Sequence, residues 1–91
     1  MPTARGGAVA VAVGQDIWVL GGYDAYGRPL REVEVYHVAT DTWEVRAPLA
    51  HPRAFPAAGL LGARIVVAGG VEGRAASFTV RTVKTAEAIT P

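Results

Sequence analysis

The chain has 91 residues, of which 51% are hydrophobic, and its nine Lys and Arg residues nearly balance eight Asp and Glu residues, giving a net charge of +1. Because no basic or acidic run is present, this charge gives no support to binding of nucleic acid or of an anionic membrane. The sequence has no cysteine, which excludes disulfides, thiolate catalysis and cysteine-ligated metal sites.

The N-terminal sequence lacks the basic start and long apolar core of a secretory signal peptide. The longest apolar stretch, Ala8–Val13, is too short to cross a bilayer as a helix. We therefore expect a soluble cytoplasmic protein without a membrane partner.

Four strands are predicted in the first half of the chain: Ala8–Val13, Ile17–Leu20, Glu32–Val38 and Trp43–Arg46. Gln15 and Asp16 supply the polar tip of a hairpin between the first two strands. In the third strand, valines alternate with Glu32 and Glu34, and this period of two predicts one face that is directed towards solvent.

The second half follows the same order, with predicted strands at Ala57–Leu61, Ile65–Gly70, Ser77–Thr82 and Thr85–Ile89. Its loop Val71–Ala76 is predicted to be shorter than the corresponding loop of the first half. No segment combines sustained helical periodicity with helix caps. The prediction is an all-β chain of two four-stranded antiparallel units, joined by Ala47–Pro52, with short up-and-down connections.

Both halves carry the same spaced residues: Arg5, Gly14, Gly21 and Gly22 recur, shifted by 48 residues, as Arg53, Gly62, Gly69 and Gly70. A repeat of this length indicates one small sheet made twice, and such a sheet cannot bury both of its faces alone. Eight short strands are also compatible with a sandwich or a closed barrel. A propeller explains the repeat better, because it is built from similar blades.

The pattern resembles the kelch repeat, in which an Arg precedes the first strand, Gly-Gly ends the second, and a Tyr on the third strand precedes a Trp on the fourth by seven residues. Residues 1–49 carry all of these features, at Arg5, Gly21-Gly22, Tyr36 and Trp43. The resemblance implies a propeller blade in which Tyr36 and Trp43 lie on adjacent strands and form the large part of the core.

Residues 50–91 are predicted to form a second, degenerate blade. Arg53 and Gly69-Gly70 match the kelch pattern, but Val80 and Glu87 occupy the positions of the Tyr and the Trp. Because an unpaired carboxylate is costly to bury, we expect the last strand to expose Glu87 to water.

Propellers have about four to eight blades, so two blades cannot close a ring. In the alignment of the two copies, Pro91 falls at the position of Ala47 and Met1 at that of Leu49, so that about one residue is missing between successive copies. We therefore expect a homotrimer that forms one six-bladed propeller through head-to-tail contacts. The alternative is that the chain is a structural fragment of a longer kelch propeller.

Catalytic and metal-binding patterns are weak. His37 and His51 lie in different repeats, and neither has a second ligand at metal-binding spacing. Asp16, Asp24 and Asp41 lie in predicted turns, where aspartate commonly bonds its own backbone. Glu32 and Glu34 are interpreted as solvated charges at a sheet edge. We therefore predict no metal, no cofactor and no catalytic residue.

The kelch resemblance implies a ligand-binding mouth formed by loops at one end of the propeller channel. Its predicted residues are Arg5, Tyr23, Asp24, Tyr26, Arg53 and Val71. A ring of guanidinium groups at this mouth suits a protein or an acidic peptide, because arginine binds carboxylates with paired hydrogen bonds. A carbohydrate-binding or sugar-isomerising kelch protein is an alternative. Each arginine could instead hold a loop carbonyl or a neighbouring blade.

Overall fold

The computed structural model describes residues 4–72, 81–82 and 85–91, and these residues form strands, turns and loops without a helix. The strands are β1 (Val9–Val13), β2 (Asp16–Leu20), β3 (Val33–His37), β4 (Thr42–Arg46), β5 (Ala57–Leu61), β6 (Arg64–Ala68), β7 (Val71–Glu72), β8 (Arg81–Thr82) and β9 (Ala86–Ile89). Within these ranges there is accordingly no helix of the length and hydropathy needed to span a bilayer.

The first sheet is an antiparallel meander in the order β1-β2-β3-β4, which confirms the predicted four-stranded unit. The hairpin between β1 and β2 turns through Gly14 and Gln15, where Gly14 has a φ of 60° that favours glycine. The polar turn after β3 contains Asp41, which also has a positive φ of 52°. These two short turns fix the register of β1 with β2 and of β3 with β4, whereas a longer loop, residues 21–32, joins β2 to β3.

The second sheet differs from its prediction. It has three described strands in the order β5-β6-β9, and β7 and β8 form a separate two-stranded ribbon. The predicted third strand, Ser77–Thr82, lies outside the described residues except for Arg81–Thr82, which pairs with Val71–Glu72 instead of β6. The position beside β6 is taken by β9, so the connection from β6 spans residues 69–85 and is longer, not shorter, than residues 21–32 of the first sheet.

The side-chain alternation gives each sheet an inner face, which is turned towards the other sheet. The inner face of the first sheet carries the apolar residues Val9, Val11, Val13, Trp18, Leu20, Val33 and Val35, together with the polar residues Asp16, His37, Thr42, Glu44 and Arg46. The inner face of the second sheet consists of Ala58, Leu60, Ile65, Val67, Glu87 and Ile89. Most of these apolar residues form one buried core together with Leu49, and β1 contacts β5. The two sheets are therefore stacked face to face around a shared core.

Tyr36 and Trp43 are adjacent, as predicted, with ring centroids 5.0 Å apart. They do not belong to the buried core, because strand alternation places both rings on the opposite, outer face of the first sheet. Trp43 remains 36% exposed, whereas Trp18 is only 3% exposed and supplies the large aromatic residue of the core.

The pairing of β9 changes the alignment of the two halves. Glu87 pairs with Val67 as Glu34 pairs with Val19, so Glu87 is the counterpart of Glu34 and not of Trp43. Val80, the predicted counterpart of Tyr36, lies outside the described residues, and Ile89 occupies the position of Tyr36. The same register moves Pro91 from the position of Ala47 to that of Val38, which removes the alignment argument for a nearly gapless ring.

Candidate functional site

Arg5 is buried beneath the loops at the end of the first sheet. Its Nη1 donates hydrogen bonds to the carbonyl oxygens of Gly21 at 2.8 Å and Glu32 at 2.9 Å, and its Nη2 bonds the carboxylate of Glu34. The side chains of Arg5 and Glu34 are both inaccessible to solvent. The guanidinium thus joins the end of β2 to the start of β3.

Arg53 makes the same kind of network in the second sheet. Its Nη1 donates to the carbonyls of Gly69 at 2.9 Å and Thr85 at 2.6 Å, and its Nε donates to Glu87 Oε2 at 3.0 Å. Its side chain is fully buried. Arg5 and Arg53 thus hold loop carbonyl groups, which is the alternative to ligand binding given in the sequence analysis. Ligand binding by the two arginines stays a prediction.

Glu34 and Glu87 are not solvated, contrary to expectation. Glu34 is fully buried against Arg5, and the Glu87 side chain is only 15% exposed. Glu87 also accepts hydrogen bonds from the backbone N–H groups of Ala50 at 2.6 Å and His51 at 3.2 Å. Desolvation alone would raise the pKa of Glu87, but these hydrogen bonds and the Arg53 guanidinium outweigh it and lower that pKa below 4.5.

The loops above these arginines are fixed by backbone pairing. Gly6 and Tyr23 exchange two backbone hydrogen bonds, at 3.0 and 2.8 Å, and in the second half Ala54 and Val71 do the same at 2.9 and 2.8 Å. The two halves meet where Phe55 N–H donates to Gly7 O at 2.8 Å. The loop surface therefore rests on ordered backbone.

Three aromatic side chains emerge from this loop surface. Tyr23 is 36% exposed, Phe55 65% and Tyr26 74%. The rings of Tyr23 and Phe55 lie 5.5 Å apart, and the Tyr23 ring covers Gly6 and Gly7 so closely that a Cβ atom at either glycine would come within 3.0 Å of it. We call Tyr23, Tyr26 and Phe55 the aromatic loop surface.

Asp24 shapes the loop that carries Tyr26. Its carboxylate accepts hydrogen bonds from Tyr26 N–H at 2.9 Å, from Arg28 N–H at 3.0 Å and from Arg28 Nε at 2.8 Å. The backbone bond from Arg28 is the largest of several contributions that lower the pKa of Asp24 below 3.8. An ionised carboxylate held in this way organises a turn and is a poor proton donor near neutral pH.

A pocket of about 270 Å³ opens beside the aromatic loop surface, and it is lined by Ala4, Arg5, Gly6, Tyr23, Asp24 and Ala25. Three of the predicted site residues, Arg5, Tyr23 and Asp24, thus lie around one cavity. Tyr26 is on the same loop, whereas the side chain of Arg53 is directed into the second sheet and Val71 is half-buried beside Ala54.

A family profile described as "Kelch motif" matches residues 4–50, a stretch that contains Arg5, Gly21-Gly22, Tyr36 and Trp43. The chain belongs to the kelch family. No curated protein matches the sequence closely. The matched region begins just before the buried Arg5 network and ends after β4, so the kelch signature coincides with the first sheet and its loops.

Phe55 is the residue of this kelch surface that the sequence analysis missed. Its backbone has a φ of 55°, a left-handed conformation, and its counterpart in the first half is Gly7, with a φ of 61°. A comparison of the two halves gives the available signal, because a bulky aromatic residue replaces a glycine between Arg53 and β5.

Proposed function

We propose that this kelch protein is an interaction module that binds a protein or peptide through the aromatic loop surface. The observation that carries this proposal is Phe55. A non-glycine residue in the left-handed region costs about 1–2 kcal/mol, and here that conformation supports a ring that is 65% exposed. Strained residues of this kind cluster at ligand sites.

The neighbouring residues have the chemistry of a protein interface. Tyr, Phe and Arg are enriched in interface cores, and the aromatic side chains bury a large area at a low cost in conformational entropy. Tyr23 packs beside Phe55, and the Arg28 guanidinium lies 5.2 Å from the centre of the Tyr26 ring. Ordered backbone beneath these side chains reduces the entropy that binding must remove.

An acidic peptide is one version of this proposal. Since Arg5 and Arg53 are buried, the guanidinium available at the loop surface is that of Arg28, whose side chain is 50% exposed. Arg28 already pairs with Asp24. Acidic ligands would therefore bind by competing for Arg28.

A sugar ligand is the second candidate, and it is favoured by the pocket of about 270 Å³ beside Tyr23. An aromatic ring at the wall of such a pocket offers an apolar face for stacking, and the polar groups of Asp24 and the backbone offer hydrogen bonds.

The proposal extends to assembly. The second sheet is interpreted as a second kelch blade, because Arg53, Gly69 and Glu87 reproduce the hydrogen bonds of Arg5, Gly21 and Glu34. Two blades cannot close a propeller, and three copies of the chain would supply six. We expect a homotrimer of about 28.5 kDa, three times the 9.5 kDa of one chain, and native mass spectrometry tests this mass.

Ligand binding is tested by selecting a random peptide library, displayed on phage, against the immobilised chain. The selected peptides are then measured against Phe55→Gly, which removes the ring and suits the left-handed backbone. We expect binding to weaken at least about tenfold, or 1.4 kcal/mol, and Tyr26→Ser to weaken it as well. Loss of acidic peptides in Arg28→Gln would favour the acidic version.

Val38→Ser is the matched control, because Val38 is 51% exposed and follows β3, away from the aromatic loop surface. If no peptide is enriched, or if the enriched peptides bind Phe55→Gly as well as the original chain, the loop surface is not a peptide site. Binding of a glycan-array sugar that is lost on Tyr23→Ala would favour the second candidate.

A further inference from the structure

The two sheets of the chain pack front to back. The inner face of the first sheet contains Trp18 and Leu20, whereas their counterparts in the second sheet, Val66 and Ala68, lie on its outer face. Conversely, Ile65 and Val67 of the buried core correspond to Ile17 and Val19, which face outwards. One surface of the repeated sheet therefore contacts the opposite surface of the next.

This arrangement leaves one surface of each type uncovered within the described residues. The outer face of the second sheet consists of Ala57, Gly59, Leu61, Val66, Ala68, Ala86 and Ala88, with Arg64 at its rim. Most of these side chains are small, and five of them line a groove of about 280 Å³. Leu61 is 74% exposed in this groove.

The outer face of the first sheet is also apolar but carries larger side chains. It consists of Ala10, Ala12, Ile17, Val19, Tyr36, Trp43 and Val45, and its one acidic residue, Glu34, is buried against Arg5. Ile17 is 37% exposed, Trp43 36% and Val45 67%. Apolar side chains exposed side by side on one sheet face are typical of an interaction surface.

The glycine pairs give independent support. A Cβ atom on Gly21 would lie 2.4 Å from the carbonyl oxygen of Arg53, because the start of the second repeat covers that point. Among the described residues, no atom lies within 4 Å of the same position at Gly69, its counterpart. In this part of the chain, the second repeat therefore has no segment at the place where the first repeat receives the one that begins with Arg53.

We propose that copies of this chain associate head to tail, with the outer face of the second sheet of one copy covering the outer face of the first sheet of the next. This inference rests on the proposed assembly and names its surfaces. The occupant is a second copy because this contact repeats the front-to-back packing of the two sheets inside the chain. The small side chains on the outer face of the second sheet also leave room for the large ones on the outer face of the first. Contacts of this heterologous type form a closed ring when the rotation from one copy to the next closes.

The test uses two variants that each block one surface at a well-exposed position. Leu61→Glu places a charge on the outer face of the second sheet, and Val45→Glu places one on the outer face of the first. Tyr26→Glu is the matched control, because Tyr26 is as exposed as Leu61, at 74%, but lies on the loop surface. Circular dichroism verifies that each variant is folded.

Native mass spectrometry and sedimentation should give an oligomer for the original chain and for Tyr26→Glu, and a 9.5 kDa monomer for each face variant alone. A mixture of the two face variants should form a one-to-one complex of about 19 kDa, twice that mass. In this complex, the first sheet of Leu61→Glu and the second sheet of Val45→Glu provide the two remaining intact surfaces.

Other outcomes overturn the inference in distinguishable ways. An oligomer that persists in both face variants would show that assembly uses other surfaces. That result would overturn the choice of surfaces but not the proposal that the chain forms an oligomer. A dimer formed by one face variant alone would show a symmetric contact of one face with itself. A monomeric original chain would overturn assembly altogether, while the peptide selection against the aromatic loop surface would still stand as a separate test.

Discussion

Arg53 donates from Nε to Glu87 Oε2 at 3.0 Å, and this ion pair sits beneath the loops of the second sheet as the pair of Arg5 and Glu34 sits beneath those of the first. Both arginines also bond the carbonyl oxygen of the first glycine of a Gly-Gly pair. In each sheet, the carboxylate neutralises the buried guanidinium, whose N–H groups donate to carbonyl groups at the ends of strands. The ion pair therefore links the second and third strands of each sheet, and we call it the internal tie.

Removal of the carboxylate should destabilise the chain strongly. Glu87→Ala leaves the buried Arg53 guanidinium without its counter-charge, and breaking a buried pair costs about 3 kcal/mol or more. Glu87→Gln keeps an acceptor oxygen and should cost less. Urea unfolding followed by tryptophan fluorescence measures both variants. A loss below about 1 kcal/mol in Glu87→Ala, the range of an exposed pair, would contradict a structural role for this tie.

Stability should also fall in acid because of the same residue. The pKa of Glu87 is lower in the folded chain than its ordinary value of 4.5. The stabilisation is therefore fully present above pH 4.5 and is lost as pH falls through the folded-state pKa. Urea unfolding across this range should show a weaker pH dependence in Glu87→Gln. An equal dependence in both proteins would show that other carboxylates dominate the acid transition.

The glycines of the two Gly-Gly pairs should respond differently to the same substitution. Gly21 and Gly69 have similar φ values, 67° and 69°, so alanine costs about 1–2 kcal/mol at either position through left-handed strain. Among the described residues, the new Cβ atom at Gly21 would lie 2.4 Å from a backbone atom, Arg53 O, whereas no atom lies within 4 Å of the one at Gly69. Gly21→Ala should therefore cost at least about 1 kcal/mol more. The free energies of unfolding of Gly21→Ala and Gly69→Ala are compared in chains that also carry Leu61→Glu, which removes any contribution of association. Equal losses of stability would contradict the close contact between Gly21 and Arg53 O.

The first sheet could be predicted from sequence because its signals are local. Alternating valines, a polar hairpin tip and glycine pairs set each strand and turn within a few residues of one another. β9 was predicted as a strand but was assigned the wrong neighbour, because the loop after Gly70 was taken to be shorter than that of the first half, which placed Glu87 at the position of Trp43. Glu87 lies 53 residues after Glu34. The search for a carboxylate to neutralise Arg53 would have given the correct alignment.

The burial and the hydrogen bonds of the site residues could not be predicted from sequence, because they depend on contacts between distant parts of the chain. The burial of Arg5 and Arg53 follows from carbonyl groups at strand ends, whose direction is set only when the sheet forms. Phe55 could be noticed as a replacement for Gly7, but sequence spacing does not show its left-handed backbone or the hydrogen bond from its N–H to Gly7 O across the two halves. Tyr36 and Trp43 were paired correctly, and only the stacking of the sheets decides which face they share.

His37 should make the first sheet more stable at mildly acidic pH than at alkaline pH. Its Nε2 lies 2.9 Å from Glu44 and its Nδ1 2.9 Å from Asp16, and only the protonated ring donates to both carboxylates. The bond to Glu44, followed by that to Asp16, raises the pKa of His37 above 6.5. This stabilisation is complete below pH 6.5 and is lost as pH rises through the folded-state pKa.

Urea unfolding between about pH 5 and pH 8 should show this decline in stability. The double variant Asp16→Asn/Glu44→Gln should show a smaller decline, because neutral partners accept a hydrogen bond without favouring the charged ring. An unchanged slope in the double variant would show that His37 does not couple these carboxylates to folding.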